Sequence, residues 1–156
     1  MKNLVVFYSR SGKTKFVAEK IAEILRCDTE EIVDCKNRSG IIGWLLSGRD
    51  AVKKSLTEIK PITKEIELYD NIVIGTPVWA GNITPAVRTF VLNFRDKFKN
   101  VSFFCTMASF GEKNVFKELE YLCQKKPILT FAIKQSEIIA NSDKCFEKIK
   151  SIFSKI

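Results

Sequence analysis

Asn3-Leu4-Val5-Val6-Phe7-Tyr8-Ser9-Arg10-Ser11-Gly12-Lys13-Thr14 carries two signals in immediate succession. Its first half is a short apolar run, β-branched and aromatic, of the kind that forms an interior strand of a parallel sheet buried on both faces. Its second half is rich in hydroxyls, holds a glycine and passes at once into an amphipathic pattern. A strand that ends this way and feeds a helix builds an anion site. Unpaired backbone N–H groups point at one spot, the helix N-terminus adds partial positive charge, and the hydroxyls donate further hydrogen bonds. The expected guest is a phosphate. A nucleoside-triphosphatase loop would need its first glycine where this chain has Phe7, inside the strand, and Gly75-Thr76 ends the second interior strand without an aspartate for magnesium. A hydroxyl-lined loop for one phosphate monoester fits better, and with no acidic residue in the loop no metal is called for.

The 156 residues suit one domain, residues 1–156, with a single sizeable core. The longest apolar runs, Leu4 to Tyr8 and Ile41 to Leu46, are too short to cross a bilayer. Met1-Lys2-Asn3 leads straight into the first strand without signal-peptide features, so the expectation is a cytoplasmic protein with no membrane partner. Five widely spaced cysteines (Cys27, Cys35, Cys105, Cys123, Cys145), with no Cys-x-x-Cys pair, suit a reducing compartment rather than a disulfide framework or a zinc site. The absence of histidine removes Ser-His-Asp catalysis and His-based zinc chemistry. A formal net charge of +8 admits nucleic acid or an acidic protein as partner. The lysines are scattered, without a basic run or interleaved aromatics, and read as solvated helix surfaces, so nucleic acid is not favoured.

From Thr14, Val17, Ile21, Ile24 and Leu25 recur at helical spacing. Glu30 to Val33 reads as a polar edge strand. Ile41 to Lys54 reads as a helix weakened by Gly43 and Gly48, with Trp44 expected in the core or an interface. Asp70 to Thr76 is a second buried strand, and Thr84-Pro85 caps a helix with Val87, Phe90, Val91, Phe94 and Phe98 on one face. Val101 to Thr106 is a third buried strand, taking Cys105 into the core. A helix through Val115, Leu119 and Leu122 follows, then a strand from Ile128 to Ile133. Ser142 caps a last helix whose inner face is Phe146, Ile149, Ile152, Phe153 and Ile156. Five alternations of strand and helix make a doubly wound α/β domain, in which ligands bind beyond the carboxyl ends of the strands. Three loops gather there: Ser9–Thr14, Thr76–Ile83 and Thr106–Gly111. In the second, Trp79 lies among Pro77, Ala80 and Gly81 and offers an indole to a flat ring, and Phe110 offers a second face.

Tyr8-Ser9-Arg10-Ser11-Gly12-Lys13-Thr14 resembles the FMN phosphate loop of flavodoxins, hydroxyl-x-hydroxyl-Gly-x-Thr after the first strand. Gly75-Thr76-Pro77-Val78-Trp79-Ala80-Gly81 resembles that family's second flavin loop, and Thr106 to Gly111 stands at its third. The resemblance spans nearly the whole chain. It implies a five-stranded parallel sheet of order 2-1-3-4-5 and non-covalent FMN at the carboxyl edge. It assigns the phosphate to Ser9, Ser11, Gly12 and Thr14, with Arg10 and Lys13 lending backbone N–H groups. It sets Pro77, Val78, Trp79, Ala80, Gly81 and Asn82, with Met107, Ala108, Ser109 and Phe110, around the isoalloxazine. Flavodoxins are usually acidic, whereas this chain is basic, so the redox partner proteins it implies are acidic ones. The third loop has no tyrosine, which leaves Phe110 for stacking. The implied function is an electron carrier, with an FMN-dependent NAD(P)H oxidoreductase acting on a quinone, flavin or nitro compound as the alternative on the same fold, and a monomer or homodimer as the assembly. For that alternative, Trp44, Arg38 and Arg49, all between Lys36 and Leu56, could cover the flavin or pair subunits.

Overall fold

The computed structural model describes residues 1–153. Five parallel strands lie in the order β2-β1-β3-β4-β5, the 2-1-3-4-5 sheet expected. They are β1 (Asn3–Phe7), β2 (Asp28–Glu31), β3 (Asn71–Pro77), β4 (Asn100–Met107) and β5 (Thr130–Lys134). Between and after them run α1 (Lys13–Leu25), α2 (Gly40–Val52), α3 (Pro85–Phe94), α4 (Glu112–Cys123), α5 (Gln135–Ala140) and α6 (Ser142–Phe153).

The uninterrupted apolar run of β1 is needed because each of its faces meets a layer of helices. Leu4 and Val6 join Ile72, Ile74, Val87, Phe90 and Leu119 in the core under α3 and α4. Val5 and Phe7 join Val17, Ile21, Phe104, Ile133 and Ile149 in the core under α1 and α6. Register follows, with Leu4 opposite Ile72 and Val6 opposite Ile74. Cys105 is fully buried, as expected.

The edge strand starts two residues earlier than its apolar residues suggested, at Asp28, because pairing to Leu4 begins there. Its edge is covered rather than merely charged. Lys60 donates its backbone N–H to the carbonyl of Val33 and Cys35 to that of Glu58, both at 2.9 Å. The backbone N–H and hydroxyl of Thr63 satisfy the carboxylate of Glu30 at 2.8 and 2.6 Å. Thr84 caps α3 as expected, accepting from the N–H of Val87. A six-residue helix, α5, intervenes before α6; Glu137 accepts the Lys134 N–H at its start, and no glycine or proline announces it. Ser142 opens α6, in which Cys145 and Ile149 are buried. The expected contribution of Ile156 lies outside the described residues. Among the described residues, no helix is long and apolar enough to cross a membrane.

Among the described residues, helix α2 places no side chain in either apolar cluster, although its Ala51 is buried. Trp44, expected in a core or interface, is 62% exposed, which excludes the core.

Candidate functional site

The loops after β1, β3 and β4 meet at one rim, as parallel strands with right-handed crossovers require. After β1 the chain turns through Tyr8 to Gly12. Gly12 takes a left-handed conformation, φ +85°, which a residue with a Cβ would resist. Its N–H donates to Ser9 Oγ at 3.1 Å, closing the turn. The first ladder bond of α1 is Phe16 N–H to the Gly12 carbonyl, so the amides of Lys13, Thr14 and Lys15 precede the ladder. No side chain caps this end. A Cβ built on Gly12 would meet no atom within 4 Å, so the mouth of the turn is open. Thr14 is buried, its hydroxyl 2.7 Å from that of Thr106 at the end of β4, which ties the first loop to the third.

The second loop is a tight reversal. Trp79 and Asn82 exchange backbone hydrogen bonds of 3.0 and 2.9 Å across Ala80 and Gly81. Both central residues have positive φ, +48° and +77°, the backbone of a type I′ turn. The two carbonyls of this turn are engaged: Asn82 Nδ2 donates to Ala80 O at 2.7 Å and Asn114 Nδ2, from α4, to Gly81 O at 2.8 Å. Trp79 is half-buried, its ring set edge-on to Tyr8 at 5.5 Å and 87°.

These loops enclose a cleft of about 670 Å³, within the range of small-molecule sites. Arg10, Ser11, Lys13 and Thr14 form one side; Pro77, Val78, Trp79 and Ala80 form another; Thr106 and Ala108 close the base. Of the other predicted residues, Ser9 lines an adjoining depression with Tyr8 and Asp34, and Gly12 forms the turn itself. Gly81 and Asn82 shape the reversal behind Trp79 without lining the cleft. Met107 is buried at the end of β4, while Ser109 and Phe110 are exposed, Phe110 at 75%.

The fourth wall is α2, which brings Trp44, Leu45, Ser47 and Gly48 over the cleft; Gln135 reaches it from the start of α5. What holds α2 there is polar. Arg38, almost fully buried, donates from Nε to Asp34 at 2.6 Å and from Nη1 to Asp50 at 3.1 Å. Lys36 donates to Asp50 at 2.7 Å, and Arg49 donates to the same carboxylate at 3.1 Å. The hydrogen bond from Lys36, with those from Arg38 and Arg49, holds the Asp50 carboxyl far below its ordinary value. The Arg38 guanidinium also lies 5.6 Å from the centroid of Trp79, and its Nη2 is buried without a partner. Arg10 joins this system to the first loop, donating from Nε to the Arg38 carbonyl at 3.0 Å and from Nη2 to the Gly40 carbonyl at 3.2 Å. Burial, aided by the charge of Asp34, pushes the Tyr8 hydroxyl up to about 12, so it stays a neutral donor behind Trp79. Asp34, Asp50 and Asn114 escaped the sequence reading because each finds its partners only across elements that the fold brings together. The hints at the fourth wall were Trp44, Arg38 and Arg49, all between Lys36 and Leu56.

A family model described as Flavodoxin matches residues 2–151. Comparison with curated protein sequences gives no match. Among solved structures, a flavoprotein from Lactobacillus acidophilus in complex with FMN superposes with a TM-score of 0.73 at 24% identity, covering 89% of this chain and 96% of that one. A WrbA-like flavodoxin from Agrobacterium tumefaciens gives 0.62 at 16% identity, covering 97% and 94%. Oxidised flavodoxin 1 from Bacillus cereus gives 0.59 at 18% identity over 100% and 99%. At such identities the structural likeness speaks for the fold.

Proposed function

The chain belongs to the flavodoxin family, and from that premise we propose that it holds FMN in this cleft and passes single electrons between redox partner proteins. The observation that carries the reading is the convergence, on one cleft of ligand size, of an uncapped helix N-terminus behind a hydroxyl-bearing turn with a wall containing Trp79. The residues fit the group. The open mouth at Gly12 gives a phosphate room to approach the amides of Lys13 and Thr14, and Ser9 and Ser11 add hydroxyls. The side chain of Arg10 is drawn away to the Arg38 and Gly40 carbonyls, so Arg10 serves the phosphate through its N–H. Pro77, Val78, Trp79 and Ala80, with Ala108 below, suit a flat aromatic ring.

When bound, FMN supplies reversible electron transfer in a range set by its surroundings. The chain orients the ring with Trp79, which Tyr8 and Arg38 hold from behind. Asn82 and Asn114 occupy the two carbonyls of the Ala80–Gly81 turn, so that turn is held in a single hydrogen-bonded arrangement. Titrating the apoprotein with FMN tests the reading: flavin fluorescence should be quenched with one-to-one stoichiometry, and Trp79→Ala should weaken binding about tenfold or more, the weight of a lost aromatic contact. Anaerobic NADH or NADPH should leave the bound flavin yellow, while dithionite bleaches it. Absence of quenching would remove the cofactor, and rapid bleaching by a nicotinamide nucleotide would replace the carrier with a reductase.

A further inference from the structure

Helix α2 presents its large apolar side chains outward. Ile41 is 81% exposed, Ile42 75%, Trp44 62% and Leu45 59%, while the residues it buries are Gly43, Ser47, Asp50 and Ala51. Four bulky apolar side chains within two turns make a contiguous patch of the kind that marks an interaction site. The patch runs into the cleft, since Trp44 and Leu45 form its lip. Its surroundings are basic. Residues 34–56 hold Lys36, Arg38, Arg49, Lys53 and Lys54 against two acids, Asp34 and Asp50, so this segment carries +3 of the chain's +8. Asp50 is buried and spent on Lys36, Arg38 and Arg49. Glu118, which pairs with Lys54 at 3.3 Å, is likewise buried. Arg38 is itself buried between Asp34 and Asp50, so the cations left facing solvent around the apolar centre are Lys36, Arg49, Lys53 and Lys54, with Arg10 and Lys13 extending them along the cleft.

We propose that the outward face of α2 and the adjoining lip of the cleft form the docking surface for an acidic redox protein, a partner with an apolar contact ringed by carboxylates. The proposal rests on the reading of the cleft as a flavin site, because a partner seated here lies beside the redox group. An apolar centre inside a charged rim is the anatomy of a transient interface, in which the apolar contacts hold the complex and the rim steers its encounter. A second copy of this chain is disfavoured by the same charges. A two-fold contact sets a patch against itself, and here that opposes one basic rim to another. A lipid surface is flat, whereas Trp44 and Leu45 turn into a concavity.

The test uses one haem protein in two charge states: a basic c-type cytochrome, and the same cytochrome with its lysines succinylated. Binding is measured by calorimetry with apo and FMN-loaded protein. The succinylated cytochrome should bind at least about tenfold more tightly than the native one, and should lose about tenfold between 0.02 and 0.2 M salt, roughly, as screening sets in. Ile41→Glu with Ile42→Glu should weaken it about tenfold or more, and Tyr121→Glu, on the exposed side of α4, should leave it unchanged. Because Ile41 and Ile42 touch no core, folding should survive; circular dichroism checks this, and Ile42→Ser serves if the double variant unfolds. Equal binding of both cytochromes, or indifference to the α2 substitutions, overturns the proposal. So does a dimer in sedimentation that Ile42→Ser dissolves, or binding to anionic phospholipid vesicles in place of the cytochrome. Charge-selective binding by a protein that takes up no FMN would sink the cofactor reading alone; FMN uptake without that selectivity would sink the docking surface alone.

Discussion

Helices α1 and α2 are both thirteen residues long and both border the cleft, yet they are held to the molecule by opposite means. Helix α1 buries Val17, Ala18, Ile21 and Ala22 against the sheet, and its apolar stripe is its inner face. Helix α2 buries a glycine, a serine, an aspartate and an alanine, and its apolar residues face outward. Ser47 donates to the Gly43 carbonyl at 2.6 Å, and Asp50 is gripped by three cations. The hydrophobic effect seats α1; ion pairs and hydrogen bonds centred on Arg38 seat α2. The helix that positions the anion-binding turn is thus set in the core, while the one that lines the cleft's outer wall is fastened chiefly at polar points, with Ala51 its one buried apolar side chain among the described residues. Local opening of α2 alone is the low-energy motion this arrangement predicts.

The comparison breaks most easily at paired isoleucines. Ile21→Ala should cost about 2–5 kcal/mol in chemical denaturation, because a fully buried side chain leaves a cavity. Ile42→Ala should fall within about 0.5 kcal/mol, as for other exposed positions. Comparable losses would mean that the outer face of α2 is covered within the folded chain.

A smaller and sharper contrast lies in the two glycines inside α2. A Cβ on Gly43 would drive into the Arg38 backbone, with the Arg38 Cα 2.9 Å away, and a backbone cannot yield as a side chain can. Gly43→Ala should therefore destabilise the protein by about 1–3 kcal/mol, the usual range of overpacking. A Cβ on Gly48 meets nothing within 4 Å, so Gly48→Ala should stabilise by about 0.5–1 kcal/mol through helix propensity. Both are read as shifts in denaturant midpoint. If both alanines stabilise, α2 does not press on Arg38.

The same contrast explains how far the sequence could be read. Strands β1, β3 and β4 were legible because burial on both faces leaves unbroken apolar runs, and α1 because its apolar spacing and its inner face coincide. Thr84-Pro85 marked α3 through local capping chemistry. The anion turn was visible since Ser9, Ser11 and Gly12 fall within four successive residues. Helix α2 was legible as a helix, and Trp44, Arg38 and Arg49 as a segment able to cover the cleft, but what seats it was not: its period points to the wrong face, and Asp34, Arg38 and Asp50 are drawn together only by the fold. Trp44 looked like core because apolar residues usually go inward, and here the inner positions were already taken by Gly43 and Ser47. Asn114, 33 residues from Gly81 in sequence, reaches the Gly81 carbonyl only once α4 lies beside the second loop.

Acid gives the mildest and most local way to separate the two helices. The Asp50 carboxyl is held below its ordinary value of 3.8, first by Lys36 and then by Arg38 and Arg49. A folded-state value lower than the unfolded one means that Asp50 stabilises the seat of α2 fully above pH 3.8, and that this is lost as the pH falls through the folded-state value. The buried face of α1 carries no acid, so nothing in its own packing titrates there. Methyl NMR should therefore show Ile41 and Ile42 shifting and broadening below pH 3.8, while Ile21 and Ile24 hold their positions until the whole domain unfolds. Asp50→Asn should flatten the pH response of the α2 methyls and leave them broadened near neutrality, since Arg38 then keeps Asp34 as its one carboxylate. Methyls of both helices moving together at every pH would mean that α2 opens only with the global transition, and the polar fastening would then be as firm as the apolar one.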